Sequence, residues 1–173
     1  MNHQSKPMKK SICIVLSIFG ILTNLNAQIS SNSEVFNTLK ANDSLLFERS
    51  FNNCETQYLE QLIAEDFEFY HDISGTINSK EEFIQIMKNG ICNPNNSTKS
   101  SRELVEGSLE VFLLKNNGKI YGALQNGVHK FFETTNGNTV PGSIAKFSHL
   151  WIIEDGKWFL KRVISFDHNM KLK

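Results

Sequence analysis

The turns constrain this chain more than any other feature. Asn116-Asn117-Gly118, Asn136-Gly137 and Asp155-Gly156 each stand between runs rich in β-branched and aromatic residues. Asn-Gly and Asp-Gly tolerate the left-handed backbone of a tight hairpin, whose twist matches that of the strands it joins. The runs they separate are 102–114 (RELVEGSLEVFLL), 120–132 (IYGALQNGVHKFF), 143–153 (SIAKFSHLWII) and 158–166 (WFLKRVISF). Four strands joined in succession predict an antiparallel meander. Gly107, Gly122 and Gly127 fall inside these long runs and predict bulges or sharp bends.

The N-terminal half has a different period. Phe36, Leu39, Asp43, Leu46, Phe47 and Ser50 recur at three- and four-residue steps, which predicts a helix from Glu34 to the Asn52-Asn53 break. Residues 56–64 (TQYLEQLIA) predict a second short helix. Ser79 with Glu82 three residues on is a capping box, opening a third helix through Phe83, Ile84, Ile86 and Met87 that stops at Gly90. Between the second and third helices lies 66–75 (DFEFYHDISG), a strand and turn. Alternation puts Phe67, Phe69 and His71 on one face and Glu68, Tyr70 and Asp72 on the other. Helices first and strands after is the α+β layout. A strongly bent sheet folded over two or three helices makes a cone with a blind cavity.

The first 27 residues read as an address. Lys6, Lys9 and Lys10 precede an apolar run, Ile12 to Leu22, of the length of a signal-peptide core, and Ala27 offers a small residue before a cut at Gln28. The run is too short to span a bilayer comfortably, so the expectation is an exported protein, periplasmic or secreted, with no stable membrane span after processing. Cleavage takes three lysines and no acid from a chain with 18 basic and 18 acidic residues, leaving a net charge near −3. No basic stripe survives, which argues against nucleic acid as a partner. Residues 28–33 (QISSNS) are polar and expected to be a flexible start. Residues 34–170 are expected to form one domain around one core.

Cys54 and Cys92 remain after processing. An oxidising compartment permits a disulfide between them; two independent buried thiols are the alternative. Neither a Cys-x-x-Cys pair nor any other diagnostic ligand spacing is present, so the sequence points to no metal site and to no cofactor.

The candidate catalytic residues are Asp43, His71, His129 and His149. Imidazole suits acid–base work because it titrates near neutral pH. His129 shares a strand face with Gln125, Gly127 and Phe131, and His149 shares one with Phe147 and Trp151. Each is read either as a satisfied core residue or as a cavity residue. Asp43 lies on the apolar stripe of the first helix, where it either reaches solvent or faces a pocket with its pKa raised by burial. His71 and Asp72, like Asp167 and His168, are sequence neighbours that point to opposite strand faces, so a histidine–carboxylate pair must form between elements. Tyr70, Arg102, Gln125 and Trp151 are candidate ligand-binding residues, the aromatics for their polar handles. Ser148 and Ser165 lack the strand–turn–helix context of an elbow nucleophile.

The order of elements, Asp66, the hairpin Gly75, the Ser79–Glu82 helix start and the run from His149 to Phe166 (HLW…DGKW…ISF) resemble the nuclear transport factor 2-like superfamily and, within it, the SnoaL-like group. The resemblance covers about Ser33 to His168. It implies a cone-shaped, cystatin-like α+β fold with an internal pocket, and a homodimer formed through the outer sheet face. It also implies a carboxylate over the cavity, similar to Asp43, and paired pocket histidines drawn from His71, His129 and His149. Such proteins include dehydratases, isomerases, cyclases and epoxide hydrolases as well as noncatalytic binders. The Asp-Arg-Asp set of the hydrolases is not recognisable. Two functions therefore stay open. One is a cofactor-independent lyase or isomerase acting on a small apolar compound. The other is a ligand-binding or protein-interaction module of the same fold.

Overall fold

The computed structural model describes residues 27–168. The expected signal peptide, apart from Ala27, lies outside the described residues, as do positions 169 and 170 at the expected domain end. No helix among the described residues is long and apolar enough to cross a membrane.

The chain opens with α1, Glu34–Ser44, capped by the Ser33 hydroxyl accepting from Phe36 N. The helix does not stop there. It continues as a π-helical stretch, Leu45–Asn52, in which Ser50 Oγ donates to Leu45 O, five residues back. Next come α2, Gln57–Leu62, and strand β1, Ile63–His71. The expected second helix is therefore shorter, and Ile63 and Ala64 belong to the strand. Strand β2, Gly75–Ile77, pairs back on β1. Helix α3, Lys80–Ile86, starts at the Ser79 cap and also ends in a π-helical stretch, Met87–Ile91.

The remaining strands are β3 (Thr98–Leu104), β4 (Glu110–Asn116), β5 (Lys119–Thr135), β6 (Asn138–Glu154) and β7 (Lys157–Phe166). The three hairpins fall where the Asn-Gly and Asp-Gly turns put them, with Asn117, Asn136 and Asp155 at positive φ. Two expectations are corrected. The run 102–114 is not one strand: Gly107, at φ +74°, turns the chain between β3 and β4, and both strands pair with β5. The sheet is also more than a meander. Its order is β2-β1-β7-β6-β5-β3, with β1 parallel to β7. Within residues 28–33, Gln28 bridges Phe112 and Ile29 N donates to Val111 O.

The result is α+β, with the helices against one face of a curved, largely antiparallel sheet. Their packing layer buries Leu39, Leu46, Leu59, Phe67, Val111 and Trp151, each full burial contributing about 1.5–3 kcal/mol. The tightest sheet contacts are at glycine. A Cβ on Gly127 would sit 2.6 Å from the Phe147 ring, so this position admits no side chain. The β5–β6 and β6–β7 ladders shift register near Lys130 and Leu150, and such irregularities bend a sheet. Cys54 and Cys92 form a disulfide with Cα atoms 5.5 Å apart, tying together the ends of the two π-helical stretches.

Candidate functional site

The fold encloses a cavity of about 500 Å³ between the helices and the concave face of the sheet. Both π-helical stretches contribute to its wall, through Leu46, Phe47 and Phe51 on one side and Met87 and Ile91 on the other. The sheet supplies Phe69, His71, His129, Phe131, Phe147 and His149. The β1–β2 hairpin and α3 form the solvent side, where Ser74, Gly75 and Ile86 are exposed.

His129 and His149 are 3% and 1% exposed, and each is fixed from behind. Arg102 Nε donates to His129 Nδ1 at 3.3 Å. A ring nitrogen that accepts carries no proton, so in the neutral ring the proton sits on Nε2. Arg102 is held in turn by Asp43 through a bidentate pair, Nη1–Oδ2 at 2.7 Å and Nη2–Oδ1 at 3.1 Å, and its guanidinium lies 3.8 Å over the Phe47 ring. His149 is oriented oppositely. Gln125 Nε2 donates to Leu39 O, which makes Gln125 Oε1 an acceptor; it takes Trp151 Nε1–H at 2.8 Å and His149 Nδ1–H at 3.2 Å. His149 Nε2 is therefore the unprotonated nitrogen. One ring ends in a donor and the other in an acceptor. These two Nε2 atoms are the buried side-chain polar atoms without a partner among the described residues.

Burial, then the Arg102 charge, lowers the His129 pKa to about 3. Burial and the same guanidinium also hold His149 well below the ordinary histidine value. Both rings are neutral at physiological pH. Burial pushes the Asp43 carboxyl up, with the Arg102 charge and hydrogen bonds opposing it. Burial likewise lowers Arg102, with Asp43 opposing. The paired, two-point geometry is that of a carboxylate and a guanidinium.

His71, on β1, stands near this pair: its charge and that of His168 also bear on His129, and the Phe131 ring packs against both His129 and His168. His71 lines the cavity together with Phe69, with which alternation along β1 groups it on one face. Its Nδ1 accepts from Ile73 N and Ser74 N at 3.1 and 3.2 Å, so the neutral ring carries its proton on Nε2. Burial, then the nearby His168, lowers its pKa. Its ring stacks on His168 with centroids 4.1 Å apart. His168 Nδ1 meets Asp72 Oδ1 at 2.5 Å, and His168 Nε2 meets Ser165 Oγ at 3.3 Å. Burial works to raise the Asp72 pKa, but hydrogen bonds from His168 and from the backbone N–H groups of Asp167 and His168 outweigh it and hold the carboxyl low. His71, Asp72 and His168 bring potential metal-ligating atoms within 4.8 Å of one another.

Of the expected catalytic set, His71, His129 and His149 share the cavity wall and Asp43 does not; it stands behind His129 as the partner of Arg102. Arg102, Gln125 and Trp151 likewise support the wall without lining it. Tyr70 faces away and bonds Glu68. Sequence reasoning missed His168 and Ser165. His168 pairs with Asp72 and not with its neighbour Asp167, a histidine–carboxylate pair between elements as the sequence requires, because the chain leaves the sheet after Phe166 with Asp167 at φ +63° and His168 turns back over β7.

No protein-family model matches the sequence, and no curated protein matches it. Solved structures do. An NTF2-like superfamily protein from Salmonella enterica serovar Typhimurium superposes with a TM-score of 0.62 at 14% identity, covering 79% of this chain and 92% of that one. An NTF2-like protein from Cytophaga hutchinsonii gives 0.55 at 15% identity, over 77% and 97% of the two chains. A domain of unknown function with a cystatin-like fold from Nostoc punctiforme gives 0.55 at 11%, over 79% and 78%. The chain has the NTF2-like fold. At these identities the likeness is one of fold alone, and an NTF2-like fold carries many functions. What this NTF2-like chain does must come from its own cavity.

Proposed function

We propose that this chain is an exported protein that binds a small, mostly apolar organic compound bearing one hydroxyl or neutral carboxylic acid group. The observation that carries the proposal is the pair of buried, unpartnered nitrogens on His129 and His149, one a donor and one an acceptor, in rings that line an aromatic cavity. A buried polar atom without a partner calls for an explanation, and a hydroxyl that accepts from one ring and donates to the other satisfies both. The Cys54–Cys92 bridge supports an oxidising destination.

The test is a thermal-shift and calorimetric panel of small aryl and alkyl alcohols against hydrocarbons of the same shape. The alcohols bind about tenfold more tightly, as one net hydrogen bond implies, and His129→Phe and His149→Phe erase the difference. Equal binding of both classes sinks the reading.

A proton-transfer lyase or isomerase for compounds of the same kind is the second reading, favoured by the opposite tautomers: one ring offers a proton and the other takes one. Burial weakens both rings as bases, so binding comes first. Turnover abolished by His149→Phe with affinity retained would reverse that order.

A further inference from the structure

We propose that Ser165, His168 and Asp72 form a nucleophilic triad that hydrolyses small carboxylic esters at the cavity wall. The proposal rests on the ligand-binding reading, since the cavity would hold the acyl group, but the chemistry is separate from the His129–His149 pair.

The three residues come from β7 and from the turns that follow β1 and β7, the two strands that pair in parallel. Ser165 is on β7, 4% exposed, and lines the cavity. His71 on β1 is its direct partner across the ladder. Asp72 follows His71, and His168 follows β7. Asp72 Oδ2 accepts backbone N–H groups from Asp167 and His168 and Asp72 Oδ1 faces His168 Nδ1, the surroundings of a carboxylate that only accepts; the shared proton therefore belongs to the histidine. That leaves His168 Nε2 as a lone pair, 3.3 Å from Ser165 Oγ, within the looser reach expected of a nucleophile–base pair before substrate binds. Asp72 Oδ2 accepts from Asp167 N at 2.7 Å, so the carboxylate that orients the base is itself anchored. Stacked on His168, the His71 ring has Nδ1 occupied by backbone donors and carries a proton on Nε2. Neutral and beside Ser165, it is the donor available to a developing oxyanion.

The atoms balance with water as the co-reactant. Ser165 Oγ bonds to the acyl carbon while its proton passes to His168 Nε2. The bond from that carbon to the leaving oxygen then breaks, and the leaving oxygen takes the proton as an alcohol. Water repeats the cycle on the acyl-serine and releases the acid, returning the proton to Ser165. The acyl side would rest against Phe69, Phe131, Leu160 and Val163, which line the cavity together with Ser165, so short alkyl or aryl acids fit.

The same side chains could instead gather a divalent cation, since three ligating atoms lie within 4.8 Å. The triad is favoured because His71 Nδ1 already accepts two backbone N–H groups and His168 Nδ1 already donates to Asp72.

The experiment treats the full chain, purified without metal, with an alkyl fluorophosphonate, followed by intact mass and peptide mapping. In parallel it measures p-nitrophenyl butyrate hydrolysis and the binding of an apolar fluorescent dye. The expected result is one adduct on Ser165, with labelling and hydrolysis slowed at least about 100-fold by His168→Ala and more weakly by Asp72→Asn. The adduct on the unmutated chain needs no variant to fold. Dye binding without an adduct overturns the triad and leaves the cavity reading standing; neither dye nor adduct overturns both. An adduct that forms equally fast in His168→Ala overturns the triad. One equivalent of Zn²⁺ bound, lost in Asp72→Asn, with no adduct in its absence, also overturns it and assigns a cation site.

Discussion

The two histidine clusters of this cavity use the same side chain in opposite ways. At the inner wall, His129 and His149 are buried, each held by one neighbour that fixes its tautomer, and each pushed towards the neutral state by burial. Around Ser165, His71 and His168 stack on one another next to Asp72, a half-exposed carboxylate with backbone donors around it. The inner pair has polar atoms to spare and no charge to use, which suits recognition. The outer group has a carboxylate, a base and a hydroxyl in line, which suits chemistry. The partner of each ring decides the difference, since His168 is nearly as buried as His129: a guanidinium and an amide hold the inner rings, and a carboxylate holds His168.

The largest test of that contrast is acid. His129 falls from 6.5 to about 3 on folding. A depressed folded-state value means that stability is fully present above pH 6.5 and is lost as pH falls toward 3, because the unfolded chain takes up the proton first. For His129 alone the full shift corresponds to about 5 kcal/mol. Denaturant midpoints should drop steadily from pH 6.5 to 4, and His129→Phe should flatten the slope. An unchanged slope in that variant would break the comparison at its inner end.

The next test removes the support behind the inner pair. Asp43→Asn leaves a buried guanidinium without its partner and should cost about 3–5 kcal/mol in chemical denaturation, while Asp43→Leu with Arg102→Met should recover most of it. Cys54→Ser should cost about 2–4 kcal/mol and loosen both π-helical walls, read as faster amide exchange at Phe51 and Ile91. The smallest effect on stability belongs to Asp72→Asn in the outer cluster. It should barely move the melting temperature while altering the His168 ring signals in NMR titration. A large loss of stability there would mean that the outer group is a structural device.

Much of this was legible in the chain. The turns located the last three hairpins, the capping box located α3, and alternation put Phe67, Phe69 and His71 on one face of β1. His129 and His149 were marked by their aromatic neighbours on a common strand face. The corrections share one cause. Pairing β1 with β7 in parallel and folding both β3 and β4 onto β5 are contacts between distant segments, and no local period reports them; Gly107 was marked as a bend, and only the pairing shows that it separates two strands. Asp43 was rightly placed on the buried stripe, yet its partner could be found only once β3 lay across α1, 59 residues away in sequence.

The sequence by itself determined the elements, since helical and strand periods and turn residues act over a few positions. It also determined which residues share a strand face with each histidine, because alternation follows from backbone geometry; which face looks into the cavity came from the tertiary structure. The tertiary structure alone decided what those histidines are. The proton on Nδ1 or Nε2 depends on Arg102, Gln125 or Asp72, each brought from another element or turn. The chemistry of an imidazole is set by the group that touches its other nitrogen; for His129, His149 and His168 that group is distant in sequence, and for His71 it is the backbone of its own turn.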